Sequence, residues 1–202
     1  PPSSAPAASL SRASTAPFAA PVDADDAGTG LPASRAEAAP VPVAPATLRP
    51  VAPVPAPVRL DYAAIGAELP VVPTGVAGDG QMEIPEDASL AAWYRFGPAP
   101  ADGEGNTVIA AHAGSEHTPE GPLYRLRDAR PGDAVAVVDG SGRTHVFKVV
   151  SVERRGKDGL DFTPYFARSG PPRLVLVTCG GQWLPERQSY ADNIIVVAEA
   201  MA

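Results

Sequence analysis

The sequence predicts an all-β fold, an eight-stranded barrel with short helices confined to its loops and a disordered Pro/Ala-rich tail ahead of it. Three observations lead there. From Val58 onward the chain consists of short Val/Ile/Leu runs separated by Gly, Pro, Asp and Asn. Helical periodicity is sparse over the same stretch. Before it, 13 of the 25 prolines fall within the first 57 residues, interleaved with alanine and serine. Proline fixes φ and removes a backbone donor, so neither helix nor sheet is sustained there. Too few large apolar residues accompany them to offset the entropy of ordering. Residues 1–57 therefore read as an extended linker, and residues 58–202 as one domain large enough for a closed core.

The expected strands are Val58–Tyr62, Leu69–Val72, Gln81–Ile84, Thr107–His112, Ala134–Val138, His145–Arg154, Arg173–Cys179 and Ser189–Ala198. Gly78-Asp79-Gly80 and Asp139-Gly140-Ser141-Gly142 supply turn residues that tolerate positive φ, and the second joins two strands as a hairpin. Helical turns are expected at Pro85–Ala92, Leu123–Arg127 and Pro164–Ala167. The stretch from Arg155 to Pro172 is long for a hairpin loop, which suggests a binding element.

Composition excludes several functions. A net charge of −7 without a Lys/Arg cluster argues against nucleic acid and against an anionic membrane surface. No apolar run is long enough for a spanning helix, so contact with a membrane is expected only through an N-terminal anchor ahead of the Pro-rich spacer. No His/Cys/Asp grouping has the spacing of a zinc or calcium site, so neither a metal nor another cofactor is expected. The single cysteine permits no internal disulfide.

That cysteine lies in Leu174-Val175-Leu176-Val177-Thr178-Cys179-Gly180-Gly181, an apolar run that ends in a thiol and two glycines. A thiol at a strand end, where the backbone turns away, is accessible to a substrate. Thr107-Val108-Ile109-Ala110-Ala111-His112-Ala113-Gly114 repeats the design with a histidine. A thiol needs such a base to act as a nucleophile near neutral pH, so Cys179 and His112 form a candidate catalytic pair. His117, among polar loop residues, and His145, at the start of a strand, compete less well for the role of base. Trp183, just past the cysteine, is a candidate wall of the site. Trp93, Tyr94 and Phe96 read as core.

These segments resemble the sortases, and among them the class F sortases of actinobacteria. The resemblance rests on Met82-Glu83-Ile84-Pro85, Trp93-Tyr94-Arg95-Phe96-Gly97-Pro98, Val108-Ile109-Ala110-Ala111-His112, Leu123-Tyr124-Arg125-Leu126, Pro131-Gly132-Asp133, Val177-Thr178-Cys179-Gly180-Gly181 and Tyr190-Ala191-Asp192-Asn193-Ile194-Ile195-Val196. It implies a monomeric cysteine transpeptidase at the outer face of the plasma membrane or in the cell wall. Cys179 would cleave an LPxTG-like sorting-signal peptide through a thioacyl enzyme, and an amine of a peptidoglycan precursor would resolve it. His112 would be the acid/base, with Thr178, Gly180 and Trp183 beside the substrate.

One family feature is missing. Sortases place an arginine on the last strand, where it donates to the substrate carbonyl or oxyanion, and many class F relatives carry it where this chain has Ala191. Arg187, just before that strand, and Asn193, on it, are the candidate replacements. The alternative to an active enzyme is an impaired sortase barrel acting as a binding or scaffolding module. Papain-like peptidoglycan hydrolases put the cysteine before the histidine, and L,D-transpeptidases hold both in one short motif; neither pattern occurs here.

Overall fold

The computed structural model describes residues 54–201, except His117, Gln188 and the side chain of Arg187. Residues 1–53 of the expected linker lie outside the described residues. Eight strands follow: β1 (Pro57–Tyr62), β2 (Ala67–Thr74), β3 (Ala91–Tyr94), β4 (Asn106–Ala110), β5 (Ala134–Asp139), β6 (Thr144–Gly156), β7 (Arg173–Leu184) and β8 (Ser189–Ala200). They close in the order β1-β2-β3-β4-β7-β8-β6-β5. This is the eight-stranded barrel predicted from sequence, and its helical elements are 3-10 turns at Ala63–Ile65, Pro122–Asp128, Thr163–Phe166 and Pro185–Arg187.

Alternation along the strands builds the core. Leu60 and Tyr62 of β1, Leu69 and Val71 of β2, Val135 and Val137 of β5, Phe147 and Val149 of β6, Leu174 and Leu176 of β7, and Ile194 and Val196 of β8 all face inward. Tyr62 brings a hydroxyl into this interior and donates it to Asp133 Oδ2 at 2.8 Å, so the buried polar group is satisfied.

β4 and β7 run parallel, from Asn106↔Arg173 to Ala110↔Val177. Their apolar runs do not alternate with polar residues because this part of the sheet is covered on both faces. Outside the barrel, Val108, Val175 and Ile195 pack under Tyr165, with Phe162 and Phe166 of the same loop alongside. The long connection between β6 and β7 is thus a lid over the sheet's outer face.

Two expected elements differ. Gln81–Ile84 is not a strand and makes only the isolated bridge Val76↔Met82. Its backbone is committed to local turns, with Ala77 N–H donating to the Gln81 carbonyl at 2.8 Å and Gly75 N–H to Glu83 Oε2 at 3.1 Å. The third strand is Ala91–Tyr94, overlapping the expected helical turn Pro85–Ala92. It is held on one side by a parallel pairing to β2 and on the other by an antiparallel pairing to β4. Tertiary pairing overrides the local helical preference of the alanines there.

Candidate active site

Cys179 belongs to β7, the expected location, but not to its end. The strand continues to Leu184, bulging between Gly180 and Trp183, and pairs with β8 along its length. Since Val175 packs on the outer face, Val177 and Cys179, two and four residues on, share that face. The thiol therefore stands on the outside of the barrel wall, half-buried.

His112 lies two residues past the end of β4. The parallel ladder still controls it. Beyond the Ala110↔Val177 pair, Ala111 N–H donates to the Val177 carbonyl at 3.1 Å, and Thr178 Oγ1 donates to the Ala111 carbonyl at 2.8 Å. Each contact advances the register one step, which brings His112 alongside Cys179. The chain after the histidine is wound tightly: Gly121 N–H donates to the Ala113 carbonyl at 2.8 Å, and Ser115 N–H to the Thr118 carbonyl at 2.7 Å. A Cβ on Gly114 would lie 2.1 Å from the Pro119 carbonyl oxygen, so only glycine fits that turn.

Burial lowers the His112 pKa from the ordinary histidine value, and the positive charge of Lys157 lowers it further, against a smaller opposing effect of Glu86. The imidazole is thereby kept in the neutral form that accepts a proton. Lys157 also reaches the sulfur. Its Nζ donates to Cys179 Sγ at 3.4 Å and to Ser189 Oγ at 2.7 Å, while its backbone N–H donates to the Ala191 carbonyl at 3.1 Å. Sequence reading missed this residue, since a lone lysine after Arg154-Arg155-Gly156 looks like a solvated charge. The only available signal was its place at the foot of the long β6–β7 loop.

The remaining candidates separate. Asn193 is the β8 partner of Cys179 and is buried. The Arg187 side chain, and His117, lie outside the described residues. Thr178 is 2 % exposed and its hydroxyl is engaged by Ala111, so its side chain ties two segments together and presents no surface to a peptide. Gly180 is backbone only, and a Cβ there would lie 2.5 Å from Ile194 Cγ1. Trp183 stacks edge-to-face on Tyr190 with centroids 5.2 Å apart, on the β7–β8 arm beyond the bulge. His145 is held by Asp139 Oδ2 at 2.7 Å. On β6 it sits ten residues from Arg155, the residue level with Asn193 and Cys179, or about 33 Å of extended strand. That rules it out as the base. Its hydrogen bond, followed by that of Ser141, holds the Asp139 carboxyl far below the usual carboxylate range.

Beside the pair lies a cavity of about 520 Å³ lined by Met82, Tyr94, Val108, Ala110, Phe162 and Val177, among others. Two of its lining residues, Ala110 and Val177, precede His112 and Cys179 by two positions each. Of the three aromatic residues read as core, Trp93 is buried, Tyr94 lines this cavity and Phe96 is 47 % exposed.

The sortase domain family matches residues 60–201. Comparison with curated proteins finds no significant match. Among solved structures, a pilus-related sortase C of Group B Streptococcus is similar at a TM-score of 0.53 and 17 % identity, over 73 % of this chain and 68 % of that one. Sortase C from Clostridium perfringens SM101 gives 0.53 and 14 %, over 71 % and 68 %. Sortase C1 from Streptococcus suis gives 0.54 and 14 %, over 73 % and 74 %. Identities this low establish only a common fold, and here that fold agrees with a family match over residues 60–201: the chain belongs to the sortase family.

Proposed function

We propose that the protein is a cysteine transpeptidase that cleaves an LPxTG-like sorting peptide and transfers the acyl part to an amine. The observation that carries this reading is the parallel β4–β7 ladder, which continues past Ala110↔Val177 through the Thr178–Ala111 hydrogen bond and so sets His112, just beyond β4, level with Cys179 on β7. His112 takes the thiol proton, Cys179 Sγ bonds to the scissile carbonyl carbon, and the carbonyl electron pair moves onto oxygen. Collapse of this adduct breaks the C–N bond, and the amine departs with the proton from His112. An incoming amine gives its proton to His112, attacks the thioacyl carbon and expels the thiolate. The apolar lining of Met82, Val108, Phe162 and Val177 suits the leucine and proline side chains ahead of the scissile bond.

On this reading residues 58–202 are the catalytic domain, and the proline-rich residues 1–57 are a spacer that carries it outward from an anchored terminus. The motif agreement over the barrel supports class F within the family. The chain would then act as a monomer at the cell surface, with a peptidoglycan-precursor amine as the acceptor. Cys179→Ala is expected to abolish cleavage of an LPxTG-type peptide followed by mass spectrometry, and iodoacetamide is expected to alkylate the native wild-type thiol promptly. Wild-type cleavage by the variant rules out the mechanism. A thiol that reacts only on unfolding supports the retired, scaffolding barrel instead.

A further inference from the structure

We propose that Lys157 is the third catalytic residue, supplying the positive charge that stabilises the anion formed at the reacting carbonyl. This rests on the transpeptidase reading above. In the tetrahedral adduct the carbonyl carbon is bonded to Cys179 Sγ, so its oxyanion lies two bonds from the sulfur. An ammonium in contact with Sγ, at 3.4 Å, is therefore next to the position where that charge develops. A charged donor aimed at an oxyanion is worth more than the neutral amide that Asn193 offers from β8.

The lysine is also held in place, which distinguishes it from a surface charge that drifts past. Its backbone N–H is fixed to the Ala191 carbonyl of β8, and its ammonium is braced by Ser189 Oγ at 2.7 Å. The same positive charge also acts on His112, disfavouring the imidazolium. One cation thus favours the base form of the histidine before attack and the oxyanion after it. When the imidazolium then hands its proton to the leaving amine, the repulsion from Lys157 assists that transfer.

Another cation lies on the same row of the sheet. Arg155 is level with Asn193 across the β6–β8 ladder, so it is two strands from Cys179, roughly 10 Å away. It faces Glu153 Oε2 at 3.5 Å. It therefore serves as the internal control for any nearby positive charge.

The experiment compares Lys157→Met, Lys157→Arg, Arg155→Gln and Cys179→Ala in the full chain. It uses single-turnover cleavage of an LPxTG-type peptide and NMR titration of the His112 imidazole. Lys157→Met is expected to lower kcat by about 100- to 1000-fold, the range for loss of one oxyanion donor, with KM changed only a few-fold. Lys157→Arg should recover a measurable part of the loss, and Arg155→Gln should stay within a few-fold of wild type. In Lys157→Met the His112 titration should move to higher pH, a shift that a purely structural role would not produce; this readout remains usable if turnover is undetectable. Lys157→Met turnover within about three-fold of wild type, with Cys179→Ala inactive, overturns the assignment of Lys157 and leaves the transpeptidase reading standing. So does a loss confined to Arg155→Gln. An active Cys179→Ala overturns both.

Discussion

The Thr178 hydroxyl shows how one buried bond fixes the spacing of two reactive groups. It donates to the Ala111 carbonyl at 2.8 Å from a side chain that is 2 % exposed, and the residues next to these two partners are Cys179 and His112. Thr178→Val keeps the shape and removes the donor, which leaves the Ala111 carbonyl buried with one partner fewer. The expected cost is about 1–3 kcal/mol in a urea unfolding curve, together with a fall in kcat as His112 loses its register. Unchanged stability and unchanged kcat would show that the backbone ladder alone positions the histidine. The candidate pair was proposed from sequence alone, because one apolar run leads to a thiol and another to an imidazole, the two side chains that a nucleophile and its base require. Lys157 was not, because its meaning depends on contacts with Cys179, Ser189 and Ala191, which are 22 to 34 positions further along the chain. No local pattern encodes such a closure.

β7 does more than deliver a cysteine to its tip. It carries the apolar wall up to Thr178, presents the thiol outward, and continues as an arm paired with β8 as far as Leu184. The pair of glycines after Cys179 looked like a stopping signal, and the continuation shows what they provide instead. At Gly180 a side chain would strike Ile194, whose Cγ1 would be 2.5 Å from the added Cβ. Gly181 has φ 81°, a left-handed conformation at the bulge. Gly180→Ala should therefore overpack the site where β7 meets β8, at a cost of about 1–3 kcal/mol in chemical denaturation, while wild-type stability would mean that Ile194 moves aside freely. The same dependence on neighbours explains the misread third strand. Ala91–Tyr94 carries two alanines and is a strand only because β2 and β4 flank it.

The closed barrel gives its reactive region two apolar faces, one filling the interior and one roofed by the β6–β7 loop. Continuous apolar runs in β4 and β7 made that legible as burial, although not which side the substrate would use. The outer face is the side with room, since Val108, Ala110 and Val177 line a cavity there and Cys179 follows on the same face. A thiol inside the barrel would have the same neighbours in sequence and no access to a peptide. The chemistry proposed here requires that this outward sulfur form a bond with substrate. The direct test is intact-protein mass spectrometry after mixing the full chain with an LPxTG-type peptide and quenching in acid. The prediction is a mass gain equal to the N-terminal peptide fragment acylating one residue, mapped to Cys179 and discharged by an added amine. Cleavage without any adduct on Cys179, or with the same adduct on Cys179→Ala, would contradict it.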